Sequence, residues 1–136
     1  MFNCFTIKPW SFAGQTRKAK VIDCYDGDTC TIAMWIGFQR YSFKLRLFGI
    51  DTPELRTKNT AEMEAGYKAK GHLSSLILGK KVKIVFADKE EKYGRLLGTI
   101  YLDGKNINQT MVDAGHAKEY FDGKKDEYTV RDPELQ

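Results

Sequence analysis

The sequence predicts a mainly β protein of the α+β class, built as a closed five-stranded antiparallel barrel with two to three helices. Three strand-like segments joined by short turns come first, which is typical of a meander. A helical segment, two more strands and a second short helix follow. With 136 residues the chain suits one domain. We predict an N-terminal extension at 1–17 and the barrel domain at 18–136.

Alternation of apolar and polar residues marks the strands, which we predict at 18–25, 28–35, 38–49, 82–87 and 95–102. In the third strand, Leu45 and Leu47 alternate with Arg46, so the arginine points away from its apolar neighbours. Between the first two strands, Asp26-Gly27 is a hairpin-turn signal, because glycine accepts a positive φ without steric cost.

A long helix is predicted over 61–78, where the spacing of apolar residues becomes helical. One stripe of this helix carries Ala65, Ala69, Leu73, Leu76 and Ile77. Thr60 is the expected N-cap and Gly79 the expected stop. Gly66 and Gly71 weaken the helix relative to alanine, so packing of the stripe must stabilise it.

A second, short helix is predicted to begin at Asn106 and to run to about Ala114. Asn106 and Gln109 have the capping-box spacing, in which each side chain satisfies an amide at the helix start. Five strands, with a helix after the third and another after the fifth, fit an OB-like barrel. An SH3-like barrel or a ferredoxin-like layer is harder to reconcile with three leading strands.

The composition is that of an ordinary globular protein, and a net charge of +4 fits a nucleic-acid partner without requiring one. Cys4, Cys24 and Cys30 form no CxxC pair, which disfavours a zinc site. An odd cysteine count without a recognisable secretory signal or membrane anchor indicates reduced thiols and an intracellular location. We expect no membrane partner and take a monomer as the default state.

Charged residues cluster at predicted strand ends, where the rim of a barrel would bring distant segments together. They are Asp28, Asp51, Glu54, Arg46 and Arg95. Three negative and two positive charges sum to −1, so a divalent cation would make the site attractive to a phosphodiester. Carboxylate oxygens without histidine or cysteine favour Ca²⁺ or Mg²⁺, and arginine forks suit phosphate oxygens. The cluster therefore indicates metal-assisted phosphodiester cleavage.

Three short motifs occur at 26–29, 46–54 and 92–95, and match the patterns D-G-D-T, R-L-x-x-x-D-T-P-E and K-Y-G-R. In this order they resemble the motifs of the staphylococcal nuclease (thermonuclease) family. The resemblance covers about 18–121 and implies an OB-fold barrel with a single Ca²⁺ at its rim, Mg²⁺ being the weaker alternative. It also implies an endonuclease that hydrolyses DNA and RNA, preferably single-stranded, to products with 3′-phosphates.

The same resemblance implies roles for individual residues. Asp28 and Asp51 would bind the ion together with the backbone carbonyl of Thr52. Glu54 would orient the attacking water, and whether it is also the general base stays open. Arg46 would bind the scissile phosphate.

Further substrate contacts are implied in the remaining motif and near the C-terminal end of the matched region. Arg95 would bind the scissile phosphate together with the first arginine, and Lys92 and Tyr93 would hold a neighbouring phosphate. The chain departs from the family pattern at Tyr120-Phe121, where Phe121 takes the place of a tyrosine. A phenyl ring can stack on a base but has no hydroxyl for a phosphate. A second departure is a short tail, in which the family's last helix is abbreviated or absent after Asp122.

Plainer interpretations exist for several of these residues. Asp26 is expected to be a turn residue, and His72 and His116 to be structural or exposed, because the proposed chemistry needs no imidazole. A catalytically inactive OB-fold module that binds nucleic acid or acts as a scaffold is the alternative function. A structural barrel with surface ion pairs would leave the three motifs unexplained. Retention of all five charged positions favours the nuclease.

Overall fold

The computed structural model describes residues 11–88 and 95–121. Strands occupy β1 (Thr16–Cys24), β2 (Thr29–Ile36), β3 (Gln39–Leu47), β4 (Ile50–Asp51), β5 (Lys81–Phe86), β6 (Leu96–Leu102), β7 (Lys105–Asn106) and β8 (Lys118–Glu119). The helices are α1 (Thr60–Ile77) and α2 (Ile107–Asp113). The five predicted strands are all present, and their ends shift by no more than a few residues.

The five long strands form a closed barrel. The sheet has the order β3-β2-β1-β5-β6-β7, and β3 also pairs with β6. The predicted OB-like α+β fold is confirmed, with one correction: the closing β3–β6 pair is parallel, whereas the other pairs in the barrel are antiparallel. A parallel pair requires a long crossover connection, and α1 with β5 provides it.

The core fills the inside of the barrel with one residue in two from each long strand. Completely buried examples are Val21, Ile32, Leu45, Ile84 and Ile100. Phe12 joins this core from the segment before β1: its ring stacks on Phe86 at 5.3 Å and meets Phe43 edge-on at 5.4 Å.

Helix α1 packs its apolar stripe onto the barrel, and the most buried members are Ala69, Leu73 and Ile77. The N-cap is Asn59, one residue before the predicted Thr60, because the Asn59 side chain accepts a hydrogen bond from the Glu62 amide at 3.1 Å. Gly79 has a φ of +76°, which confirms the predicted stop.

Helix α2 begins as predicted, with the Asn106 side chain accepting from the Gln109 amide at 3.0 Å. The prediction that the Gln109 side chain bonds back to the start of the helix is wrong, because its amide group donates instead to Asp113 at 2.9 Å. Asn106 is also the last residue of β7, where its backbone pairs with Tyr101 of the sheet. Within the part of the chain that is described, neither helix has the length and apolar character needed to cross a membrane.

Candidate active site

The loop between β1 and β2 carries the first motif, and its conformation depends on two residues. Asp26 accepts a hydrogen bond from the Asp28 amide at 3.0 Å, which confirms its role in the turn. Gly27 does not have the predicted positive φ. A Cβ at Gly27 would lie 2.7 Å from the Ala69 Cβ and 2.9 Å from the Thr52 Cγ2. Glycine is required here because the loop packs tightly against α1 and the second motif.

Asp28 is the most buried carboxylate of this loop, with an exposed fraction of 6%. Its Oδ2 accepts a hydrogen bond from the backbone amide of Thr52 at 3.2 Å, and its Oδ1 accepts one from the Thr29 hydroxyl at 3.1 Å. The first two motifs, which are separated by two strands, are therefore joined at Asp28.

Arg46 lies near the end of β3 and contacts two acidic residues, Asp28 and Asp51. Its Nη2 lies 3.3 Å from Asp51 Oδ1 and 3.5 Å from Asp28 Oδ2. Its Nη1 donates to the Ile50 carbonyl at 3.1 Å, so the guanidinium is held by backbone as well. Asp51 is completely buried. One guanidinium thus bridges two buried carboxylates.

Arg95 reaches the same rim from the segment before β6. The parallel pairing of β3 with β6 places Arg46 opposite Leu97, two residues from Arg95. The Arg95 Nη1 donates to the Thr29 hydroxyl at 3.5 Å. Thr29 therefore connects Arg95 with Asp28, a role that the sequence analysis missed although Thr29 stands in the first motif.

The second motif continues past β4 as a loop that lies directly on α1. A Cβ at Gly66 would be 2.9 Å from the Pro53 carbonyl oxygen and 3.1 Å from that of Glu54. The glycine that weakens α1 therefore permits this close approach. Glu54 is exposed, and its amide donates to Glu62 Oε1 at 3.4 Å.

Tyr120 and Phe121 lie at the edge of the same site. Strand β8 pairs with β4, and the Tyr120 amide donates to the Gly49 carbonyl at 2.8 Å. The Arg46 guanidinium lies 5.8 Å from the centre of the Tyr120 ring. Phe121 is 55% exposed and meets Phe48 edge-on at 5.8 Å.

Negative charge exceeds positive charge in the buried part of the site. Burial, and then repulsion from Asp28, raise the pKa of Asp26 to about 7. Across 11–88 and 95–121, no three acidic, histidine or cysteine side chains are grouped as a metal site. The predicted ligand set contains only two side chains, Asp28 and Asp51, with the Thr52 carbonyl. All of its donors are oxygen atoms, which fits a hard divalent cation.

The two histidines lie together, between α1 and the end of α2. The rings of His72 and His116 are 4.6 Å apart. Burial, and then the charges of His72 and Lys68, lower the pKa of His116. Lys92 and Tyr93 lie outside the described residues, so their predicted contact with a neighbouring phosphate stays a prediction.

The barrel closed through β3 and β6, with carboxylates and arginines gathered at its rim, defines an OB-fold protein whose site suits a phosphate and a cation. A family model described as "Staphylococcal nuclease homologue" matches residues 44–136. The chain belongs to the staphylococcal nuclease family, as the three motifs predicted.

Curated relatives from bacteria and plants are similar to this chain. An "Uncharacterized endonuclease" of Escherichia coli O157:H7 is 34% identical over 112 residues, which are 82% of this chain and 66% of that protein. The "SPbeta prophage-derived endonuclease YokF" of Bacillus subtilis is 30% identical over 81% of this chain and 40% of its own length. The "Probable staphylococcal-like nuclease CAN1" of rice is 37% identical over 57% of this chain and 22% of its own length. The chain thus spans between about a fifth and two thirds of these relatives.

Proposed function

We propose that this chain is an endonuclease that hydrolyses phosphodiester bonds of DNA and RNA, preferably single-stranded, with little sequence preference. The observation that carries this proposal is the convergence of Asp28, Asp51, Arg46 and Arg95 from three separate segments. The names of relatives that contain the word endonuclease support it. None of the proposed contacts reads a base edge, which agrees with recognition of the backbone.

Asp28, Asp51 and the Thr52 carbonyl would hold one Ca²⁺, with Mg²⁺ as the weaker alternative. Buried carboxylates with a single shared arginine, beside an Asp26 whose pKa burial and Asp28 raise to about 7, support a need for further positive charge. When bound, the cation would offset negative charge that develops on the phosphate and would lower the pKa of a bound water.

Arg46 and Arg95 would bind the non-bridging oxygens of the scissile phosphate. The contacts of Arg46 support this role. Two carboxylates and a backbone carbonyl already hold its guanidinium in place, so little reorganisation is needed when substrate binds. Lys92 and Tyr93 would bind a neighbouring phosphate. Tyr120 and Phe121 would contact the nucleotide, because the Tyr120 ring lies beside Arg46 and the exposed Phe121 ring follows it in the chain.

Glu54 would orient the attacking water from the exposed side of the loop. The water oxygen bonds to phosphorus as the bond from phosphorus to O5′ breaks. One proton leaves the water and one is gained by O5′, which gives a 3′-phosphate and a 5′-hydroxyl. Whether Glu54 accepts the proton itself can be decided from the pH profile of Glu54→Gln, which loses the acidic limb of the parent profile if it does.

The purified protein should degrade single-stranded DNA with added Ca²⁺ and stop when EGTA is added. The products should become substrates for polymerase extension only after a phosphatase removes the 3′-phosphate. Asp51→Asn should abolish hydrolysis, whereas Glu64→Gln, an exposed change on α1, should not. Activity that persists in EGTA would remove the metal from the mechanism. Binding of DNA without cleavage under any divalent cation would favour the inactive binding module.

A further inference from the structure

A basic surface lies on the outer side of the barrel, away from the acidic site. The strands β1, β2, β3, β5 and β6 line a groove of about 880 Å³, which we call the basic groove. Its cationic residues are Lys18, Lys20, Arg40, Lys81 and Lys83. Asp103 is the one acidic residue among its described lining residues. Neither helix contributes to the lining, which comes from the strands and from the turn at Asp103 and Gly104.

The lysines of the groove stand in like-charged pairs. In the β1–β5 ladder, Lys18 is directly opposite Lys83 and Lys20 is directly opposite Lys81. All four are exposed on the same face, because they alternate with buried residues such as Ala19. Like charges directly opposite one another destabilise a sheet. A polyanion bound across both pairs would convert this repulsion into attraction.

Aromatic rings stand beside these charges. Trp35 is 61% exposed, and the Arg40 guanidinium lies 5.8 Å from the centre of its ring. Tyr101 is paired with Lys83 across β5 and β6 and also lines the groove. Exposed rings among cations are the features with which proteins bind single-stranded nucleic acid, the rings stacking on bases and the cations contacting phosphates.

The groove and the acidic site are connected by one strand. Side chains alternate along β3, so Arg40, Lys44 and Arg46 lie on the same outer face. From Arg40 to Arg46 the strand advances about 20 Å, at roughly 3.3 Å per residue. A polynucleotide whose phosphate lies at Arg46 can therefore continue along β3 past Lys44 to the groove.

We propose that the basic groove is a second binding site for single-stranded nucleic acid and holds a long substrate away from the bond that is cleaved. This inference rests on the proposed nuclease function for its choice of ligand. The paired lysines account for affinity to any polyanion. The exposed Trp35 ring favours a chain of bases over an anionic membrane or an acidic protein.

The test uses the double variant Lys18→Gln/Lys83→Gln, which removes one like-charged pair. The matched control is Lys68→Gln/Lys70→Gln, which removes the same charge from α1. Binding of a fluorescent oligo-dT of about 20 nucleotides, longer than the ~4–16 that one OB fold covers, is measured in EGTA. Under these conditions no cleavage is expected, so binding is read separately from hydrolysis.

We expect affinity to fall about tenfold or more in the groove variant and less than about twofold in the control. The slope of log affinity against log salt should become shallower by about 0.7 for each lost phosphate contact. Trp35→Ala should also weaken binding, through lost stacking. The groove variant should be at least as heat-stable as the parent protein, because its repulsive pair is gone, and this excludes unfolding as the cause.

Equal affinity and equal salt slope in the parent and the groove variant would overturn the inference, as would absence of oligo-dT binding by the parent. Binding to anionic phosphatidylserine vesicles but not to oligo-dT would assign the groove to a membrane and would also overturn it. A parent protein that binds oligo-dT through the groove but hydrolyses nothing would support the groove while removing the proposed function.

Discussion

The positive charge of Arg46 compensates the negative charges of two buried carboxylates, so this residue stabilises the fold even when no substrate is bound. Its guanidinium contacts Asp28 and Asp51, and it also donates to the carbonyl of Ile50. Removing one partner of a buried ion pair destabilises a protein far more than the intact pair stabilises it, because a buried charge is left uncompensated. Substitution of Arg46 should therefore affect the folding free energy as well as catalysis.

Arg46→Ala should lower the free energy of unfolding by about 3 kcal/mol, because Asp28 and Asp51 lose their shared cation. Under the proposed function, its turnover should fall more than about a hundredfold. Arg46→Lys keeps the charge but not the planar fork, so it should recover part of the stability and little of the turnover. Urea denaturation in EGTA measures the first effect. Equal stability of the parent and the alanine variant would show that Arg46 does not compensate the carboxylates.

Asn108 joins α2 to the barrel, and its exposed fraction is only 4%. Its side chain accepts from the Ile100 amide at 3.1 Å and donates to the carbonyls of Phe48 and Gly98 at 2.9 and 3.2 Å. The sequence shows only a polar residue in a short helix. The three partners come from β6 and the end of β3, so their convergence depends on tertiary structure.

Asn108→Ala should destabilise the protein by about 3 kcal/mol, because it leaves the Ile100 amide and the carbonyls of Phe48 and Gly98 with fewer hydrogen bonds. Asn106→Ala is the matched control, since it removes an N-cap and should cost only about 1 kcal/mol. Thermal and urea denaturation of both variants test the difference. Similar losses in the two variants would mean that the Asn108 hydrogen bonds add little.

The two glycines of α1 have opposite surroundings although both interrupt the same helix. Gly66 lies under the carbonyls of Pro53 and Glu54, whereas a Cβ at Gly71 would meet no described atom within 4 Å. The sequence predicted the helix and its apolar stripe, but it gave no reason to distinguish the two glycines, both of which were expected to weaken the helix. Their difference arises from a loop that folds back onto one face of the helix.

Gly71→Ala should stabilise the protein by about 0.5–1 kcal/mol, because alanine is the better helix former and its methyl group has space. Gly66→Ala should destabilise it, because the new Cβ would lie 2.9 Å from the Pro53 carbonyl oxygen and would displace the loop that carries Glu54. Denaturation curves of the two variants provide the comparison. Stabilisation by both changes would show that the loop moves aside without cost.

Short elements were harder to predict than long ones. Strands β4 and β8 have two residues each, too few to show alternation, and β4 lies just beyond the predicted third strand, which ends at Gly49. The same pair brings Tyr120 beside Arg46.

The motifs identified Asp28, Asp51 and Arg46 because residue types and spacing are visible in a sequence. Thr29 and Gly27 stood in those motifs, but their contacts appear only after folding.

Packing of α1 against the end of α2 brings the rings of His72 and His116 together. His72 and Lys68 of α1 face His116, and burial lowers the pKa of His116 from its usual 6.5. Among the described residues, the buried His72 Nε2 has no hydrogen-bond partner. The unfolded chain therefore binds a proton at His116 more readily than the folded protein does.

The free energy of unfolding should fall as pH decreases below the ordinary histidine value of 6.5, because protons then favour the unfolded chain. His116→Gln removes this group, so its stability should exceed that of the parent increasingly as pH falls from about 7.5 to 5. Urea denaturation across that range measures the difference between the two proteins. Parallel pH profiles would show that protonation of His116 has no influence on folding.

Closure of the barrel through β3 and β6 has a kinetic consequence. Leu45 and Leu96 are neighbours in this pair although about fifty residues separate them along the chain. Contacts between such remote segments form slowly, because a long loop must first be ordered. A growing polypeptide that ends before Arg95 already carries Asp28, Arg46 and Asp51 but lacks the second arginine of the site. The charged rim of the barrel is therefore completed only after the segment from Arg95 onwards has been synthesised and β6 has paired with β3.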